Sequence, residues 1–155
     1  MNITFWAVAI CVALHGIIAG ISFDTALVKL PTRKRIGLVA YANFAKGNDL
    51  GNGLIVYPAL GIAAVLLVFG TTLVAYFSHI SASIMLPLLA ACVGTIAHTL
   101  STAKAAPIML SLKHTLGDEK ILTDKLNKFA FWNGYRAIFQ FLTFVTLIWT
   151  LVKVS

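Results

Sequence analysis

The polar side chains within the apolar segments of this chain are the candidates for a catalytic or binding role. On the last apolar segment, Asn133, Arg136 and Gln140 follow the spacing i, i+3, i+7, which puts them on one face of a helix. His15 lies on the first apolar segment and His98 on the third. Because polar groups are costly in hydrocarbon unless they face a protein interior, we expect these residues to meet in one pocket.

The residue types indicate proton transfer and stabilisation of a negative charge. A neutral imidazole has a pKa near the operating pH, so His15 or His98 is a candidate catalytic base. Arg136 is the candidate catalytic group that stabilises an oxyanion. The candidate substrate-binding residues are Tyr57, Asn133 and Gln140. Two His side chains that face each other could instead ligate haem or a metal, but no spacing selects a metal ion, so no metal site is predicted and the cofactor stays unknown.

The composition places these segments in a membrane. Of 155 residues, 59% are hydrophobic and 11% charged, against roughly a quarter charged in soluble domains. The 54 residues between Asp49 and Lys104 contain no Asp, Glu, Lys or Arg, a run longer than two bilayer crossings of about 20 residues each. The net charge of +7 comes from basic residues that flank apolar runs. This placement indicates contact with the lipid bilayer and argues against nucleic acid as a partner.

The charge-free runs predict four membrane-spanning helices in a single domain, 1–155, with spans at 3–23, 54–77, 82–103 and 129–151. The predicted fold is therefore all-α, an antiparallel bundle. The two long connections carry ten Lys and Arg, whereas the opposite side carries only Lys153. This asymmetry predicts that the connections are cytoplasmic and that both termini lie outside the cytoplasm. The ten basic residues are Lys29, Arg33, Lys34, Arg35, Lys46, Lys104, Lys113, Lys120, Lys125 and Lys128.

Short amphipathic segments are predicted in both connections. Ile36, Val39 and Phe44 fall at helical spacing beside the basic residues 33–35, which indicates a helix along the membrane surface, with a solvated loop as the alternative. In the second connection, Asp118 is the predicted N-cap of a short helix that leads into the fourth span.

The depths of the polar residues agree with a single pocket. From a rise of about 1.5 Å per residue, His15, His98 and Arg136 lie about 3, 9 and 6 Å from the midpoints of their spans, all toward the cytoplasm. The alternative is that these polar residues have only a structural role. Buried His and amide side chains often only join helices, and the long Arg136 side chain can reach the membrane surface.

Three segments resemble the anthrone-oxygenase-like family of small four-helix membrane proteins. They are LHGIIAG at 14–20, TAKAAPIM at 102–109 and FWNGYR at 131–136, although family members commonly have Asn where this chain has Met109. The family's name reflects members that oxidise polycyclic anthrones to anthraquinones, and many bacterial members have no assigned function. The resemblance implies a bacterial inner membrane protein that acts on a hydrophobic aromatic substrate.

Two hypotheses therefore follow for the function. One is an oxygenase-like enzyme in which a base removes a proton from a carbon next to an aromatic ring system that bears a carbonyl group, and a cation stabilises the resulting enolate. The other is a non-catalytic membrane protein that binds lipid or another small hydrophobic molecule, or serves as a haem- or metal-binding subunit. An oligomer is compatible with both, and transport would need one.

Overall fold

Helices make up nearly all of the structure, a computed structural model that describes residues 3–112 and 118–155. The helices are α1 (Ile3–Asp24), α2 (Leu30–Ile36), α3 (Leu38–Asn48), α4 (Gly53–Phe77), α5 (Ala82–Ser111) and α6 (Glu119–Val154). No strand occurs in the described residues. The four helical stretches 3–36, 53–77, 82–111 and 119–154 are long and apolar enough to cross a membrane. The predicted all-α bundle is therefore confirmed, and the chain is an integral membrane protein.

The first helical stretch continues beyond the apolar run that predicted it. A π-helical turn, Thr25–Lys29, joins α1 to α2 without a break. Hydrogen bonding from i to i+5 in such a turn brings residues five apart onto the same side. Here it places the Lys29 ammonium 3.1 Å from the Asp24 carboxylate. The predicted span ended at residue 23 because the first charged residue, Asp24, follows it. The helical stretch itself continues to Ile36, just before Gly37.

Gly37 separates the two short helices of the first connection. Its φ of 85° lies in the left-handed region, which glycine adopts without steric cost. The chain turns there, and α3 then packs Tyr41, Ala42 and Ala45 into the bundle. The opposite side of this segment leaves Phe44 exposed, together with Ile36 and Val39. The single surface helix predicted here is therefore two short helices, and apolar side chains lie on both the buried and the exposed side of the segment.

The second connection enters α6 through a capped end. The Asp118 side chain accepts hydrogen bonds from the backbone N–H groups of Lys120 and Ile121, at 2.9 and 3.1 Å. The predicted N-cap is confirmed, and the short helix after it is the first part of α6 itself. Leu122 and Leu126 are buried against the bundle, whereas Ile121 is exposed.

The four long helices surround a core with a polar middle. α1 and α5 each pack against both α4 and α6, so every neighbouring pair of long helices runs antiparallel. One apolar cluster, which includes Val8, Val68 and Leu147, fills the half that holds the termini. A second, which includes Tyr41 and Leu126, fills the half next to the long connections. The buried His15, His98, Asn133 and Gln140 lie between these two clusters along the helices.

Gly94 is a point of close approach between α5 and α6. A Cβ atom there would overlap the hydroxyl oxygen of Thr143, whereas a Cβ at Gly70 of α4 would meet nothing within 4 Å. Overpacking of this kind typically costs about 1–3 kcal/mol. We therefore expect Gly94→Ala to lower the melting temperature in detergent clearly, with Gly70→Ala as the unaffected control. Equal melting temperatures for the two variants would contradict this packing.

Candidate functional site

The predicted polar residues come from three helices into one layer of the bundle. His15 of α1, His98 of α5 and both Asn133 and Gln140 of α6 are buried. Arg136 is half-buried, one helical turn from each of the two α6 amides. Because α6 is a regular helix through this region, the spacing 133, 136, 140 carries all three side chains toward the same side.

The two histidines form an edge-to-face pair. Their ring centroids are 6.2 Å apart with an angle of 72° between the rings. His15 Nδ1 donates to the backbone carbonyl of Cys11 at 3.0 Å, since a carbonyl can only accept. This bond fixes the neutral tautomer and leaves His15 Nε2 as a buried acceptor. Neither ring nitrogen of His98 has a hydrogen-bond partner among the described residues.

Arg136 points into the bundle, where Asn133 orients it. Its Nη2 donates to the side-chain oxygen of Asn133, and its Nε is buried without a partner in the described part of the chain. Within residues 3–112 and 118–155, no carboxylate forms a salt bridge with it. The guanidinium is therefore a cation inside the protein with unused donors, which is costly unless an anion or water satisfies them.

A cavity of about 480 Å³ lies next to this layer. Most of its lining is apolar, and its walls come from α1, α4, α5 and α6 together with the residues just before α4. Ile62 and Leu66, which line it from α4, are 61% and 66% exposed on the outer surface of the bundle. Leu110 of α5 is exposed in the same way. The cavity thus reaches the lipid-facing surface beside α4 and α5.

A few polar side chains break the apolar lining. The predicted site residues Tyr57, His98, Arg136 and Gln140 all contribute to the wall. His15 and Asn133 do not line it. They lie behind the wall, His15 against His98 and Asn133 against Arg136. The structure thus brings the six residues together but divides them into cavity-lining groups and groups that position them.

Asp49 also lines the cavity, and sequence reasoning missed it. Burial raises the pKa of its carboxyl above the usual 3.8, and the nearby cations Lys29 and Arg136 act in the opposite direction. Asn48 Nδ2 donates to Asp49 Oδ1 at 3.0 Å. In the sequence, Asp49 served only as the boundary of the charge-free run. Its position four residues before α4, the helix that carries Tyr57, is the signal that could have identified it.

The chemistry available in the cavity follows from these groups. A neutral imidazole at His98 presents one donor and one acceptor nitrogen. Arg136 offers a cation, Gln140 an amide without a partner for its oxygen, and Asp49 a carboxylate. The described residues contain no group of three or more His, Cys, Asp or Glu side chains that could hold a metal ion.

The chain was compared with proteins of known family, function and structure. No protein-family model, no curated protein and no solved structure matches it.

Proposed function

We propose that this membrane protein binds a hydrophobic small molecule in the cavity between its helices, with a polar oxygen of the ligand held by the N–H donors of Arg136. The observation that carries the proposal is the juxtaposition of a mostly apolar cavity of about 480 Å³ with the Arg136 guanidinium, whose Nε has no partner among the described residues. Small-molecule sites typically occupy about 300–1,000 Å³ and combine an apolar wall with a few polar groups.

The exposed residues that line the cavity support entry of the ligand from the membrane. Ile62 and Leu66 line the cavity and are also exposed where lipid would surround the bundle. A hydrophobic molecule dissolved in the bilayer could pass between α4 and α5 without entering water. Its apolar body would contact the cavity wall, and its polar end would reach the layer that contains His98.

A second candidate function is catalysis, and the environment of His98 favours it. His98 is 3% exposed, lines the cavity and has no partner for either ring nitrogen among the described residues. A base at this position could accept a proton from the ring CH2 group of an anthrone, which is conjugated through the flanking aromatic rings to the carbonyl, and Arg136 would stabilise the resulting enolate oxygen. Reaction with dioxygen would then convert the methylene group to a ketone and release water. The family resemblance supplies this substrate class.

We also propose the orientation that the charges predict. With the basic connections in the cytoplasm of a bacterial inner membrane, the Asp49 end of the cavity faces the cytoplasmic half of the bilayer. A Cys introduced at Lys46 should then resist an impermeant reagent added outside intact cells.

Gly61 allows a direct test of ligand binding. It lines the cavity, and a Cβ added there meets nothing within 4 Å, so a large side chain can extend into the space. We expect Gly61→Trp to weaken binding of 9-fluorenone, a rigid aromatic ketone, by at least about tenfold, equivalent to 1.4 kcal/mol. The measurement is ligand fluorescence with the protein in lipid nanodiscs.

Gly70→Trp is the matched control. Gly70 lies on the same helix with the same open space, but it does not line the cavity. It should bind fluorenone like the wild type. Equal binding by the wild type and Gly61→Trp, or no saturable binding by the wild type, would contradict the proposal.

A further inference from the structure

Arg136 has an N–H donor without a partner among the described residues. Its Nη2 is bound to Asn133, but its buried Nε has no partner in the described residues. The guanidinium lines the cavity and forms no salt bridge with a described carboxylate. Because Arg presents its N–H groups in a planar fork, its natural partner is a group with two oxygens, such as a carboxylate.

Two further polar side chains line the cavity beside this fork. Gln140, one turn along α6, is 4% exposed, and its side-chain amide carries two N–H donors as well as an oxygen. His98 lines the same cavity, and neither of its ring nitrogens has a partner among the described residues. Arg136, Gln140 and His98 thus offer N–H donors in a mostly apolar space, which suits a molecule with an apolar body and one polar end that accepts hydrogen bonds.

Asp49 opposes an anion at this place. Its carboxylate lines the same cavity, so a second negative charge near Arg136 would be repelled while Asp49 is ionised. Lys29 is already paired with Asp24 at 3.1 Å. An anion that binds Arg136 would also offset the positive charge that keeps Asp49 ionised. Both effects favour protonation of Asp49 in the complex.

We propose that the cavity binds a lipophilic oxyanion, of which a carboxylate is the typical case, with its charge on Arg136, and that Asp49 takes up a proton from water as the anion binds. This inference rests on the proposed function and names the ligand class for the same site. The net event is uptake of an anion together with a proton, so the charge within the membrane protein does not change.

The direction of the pH dependence follows from the groups around Asp49. Burial already raises the pKa of Asp49 in the free protein, and an anion on Arg136 raises that pKa further. Between the two pKa values of Asp49 the complex holds more protons than the free protein, so affinity for an anion rises as pH falls from the pKa of Asp49 in the complex to its pKa in the free protein. Among the described residues, the titratable and charged groups that face Asp49 are Lys29 of the π-helical turn, Tyr41 of α3, Tyr57 of α4, His98 of α5 and Arg136 of α6.

Two probes with the same alkyl chain test the charge requirement. Decanesulfonate stays ionised throughout the working pH range, and decanol is uncharged. We expect Arg136→Gln in nanodiscs of phosphatidylcholine to weaken decanesulfonate binding at least about 30-fold and decanol binding less than about threefold. Lys34→Gln removes an exposed positive charge from α2 and should leave both affinities unchanged. An equal effect of Arg136→Gln on both probes would overturn the proposal.

The pH profile of decanesulfonate binding tests the proton. Wild-type affinity should rise as the pH falls below the pKa of Asp49 in the complex, and Asp49→Asn should remove that slope, because a neutral amide cannot take up the proton. His98→Gln should keep it. A slope that persists in Asp49→Asn, or disappears in His98→Gln, would overturn the assignment to Asp49. Normal fluorenone binding in a protein that fails these tests would exclude the oxyanion but leave the proposed function standing.

Discussion

Replacement of His98 by Ala is expected to lower oxygen consumption with an anthrone by about 10²- to 10⁴-fold, the usual contribution of a general base. We expect this loss because His98 lines the cavity and neither of its ring nitrogens has a hydrogen-bond partner in the described residues. The measurement is the rate of oxygen uptake by the protein in nanodiscs, with formation of the anthraquinone followed by its absorbance.

His15→Ala is the informative comparison. The His15 ring is outside the cavity wall, and its Nδ1 is bound to the Cys11 carbonyl. Its loss should change the rate much less than loss of His98 and should mainly lower the melting temperature. Similar losses of rate for the two variants would contradict the division into a base and a positioning residue. No oxygen uptake by the wild type with a panel of anthrones would exclude the catalytic candidate.

Arg136→Gln is expected to lower the turnover number by about 10²- to 10³-fold, as is usual when a donor to a developing oxyanion is lost. A neutral ketone gains little from the guanidinium, whereas an enolate oxygen gains much, so the effect should appear in kcat at saturating substrate. Arg136 is half-buried and forms no salt bridge with a described carboxylate, so its replacement by the polar Gln should change the melting temperature little.

Asn133→Ala provides a control for this second result. Asn133 is outside the cavity wall and accepts a hydrogen bond from Arg136. Its loss should leave the cation in place but less well oriented, with an effect on kcat between that of the wild type and that of Arg136→Gln. A kcat for Arg136→Gln equal to that of the wild type, with only KM raised, would show that Arg136 binds substrate without stabilising a charged intermediate.

The helical fold could be predicted because the bilayer permits few alternatives. Runs free of charge predict helices that satisfy their own backbone, and the structure has such helices in the expected regions. The ends of the helices were harder to predict from the sequence. Charge marked residue 23 as a boundary, but a π-helical turn carries the first stretch on to Ile36. A helix end could be predicted where a side chain caps it, as Asp118 does at the start of α6.

The sequence predicted that polar residues of several helices come together, but neither their arrangement nor the presence of Asp49 among them. Helical periodicity indicated that Asn133, Arg136 and Gln140 share one side of α6, and they do contribute to one layer. Periodicity does not say which side chain lines a cavity and which lies behind it, since that depends on how far neighbouring helices separate. Asp49 was missed because it lies outside any apolar run, and only the return of the chain into α4 brings it to the cavity.

Photolabelling with benzophenone measures directly whether the cavity between the helices binds a hydrophobic ligand. This aromatic ketone bonds to adjacent C–H groups on illumination, and mass spectrometry then identifies the modified residues. The predicted result is labelling of cavity residues such as Met109 and Leu50, reduced in Gly61→Trp and unchanged in Gly70→Trp. Labelling confined to outward-facing residues such as Leu73 and Val93, with no change in Gly61→Trp, would contradict the claim.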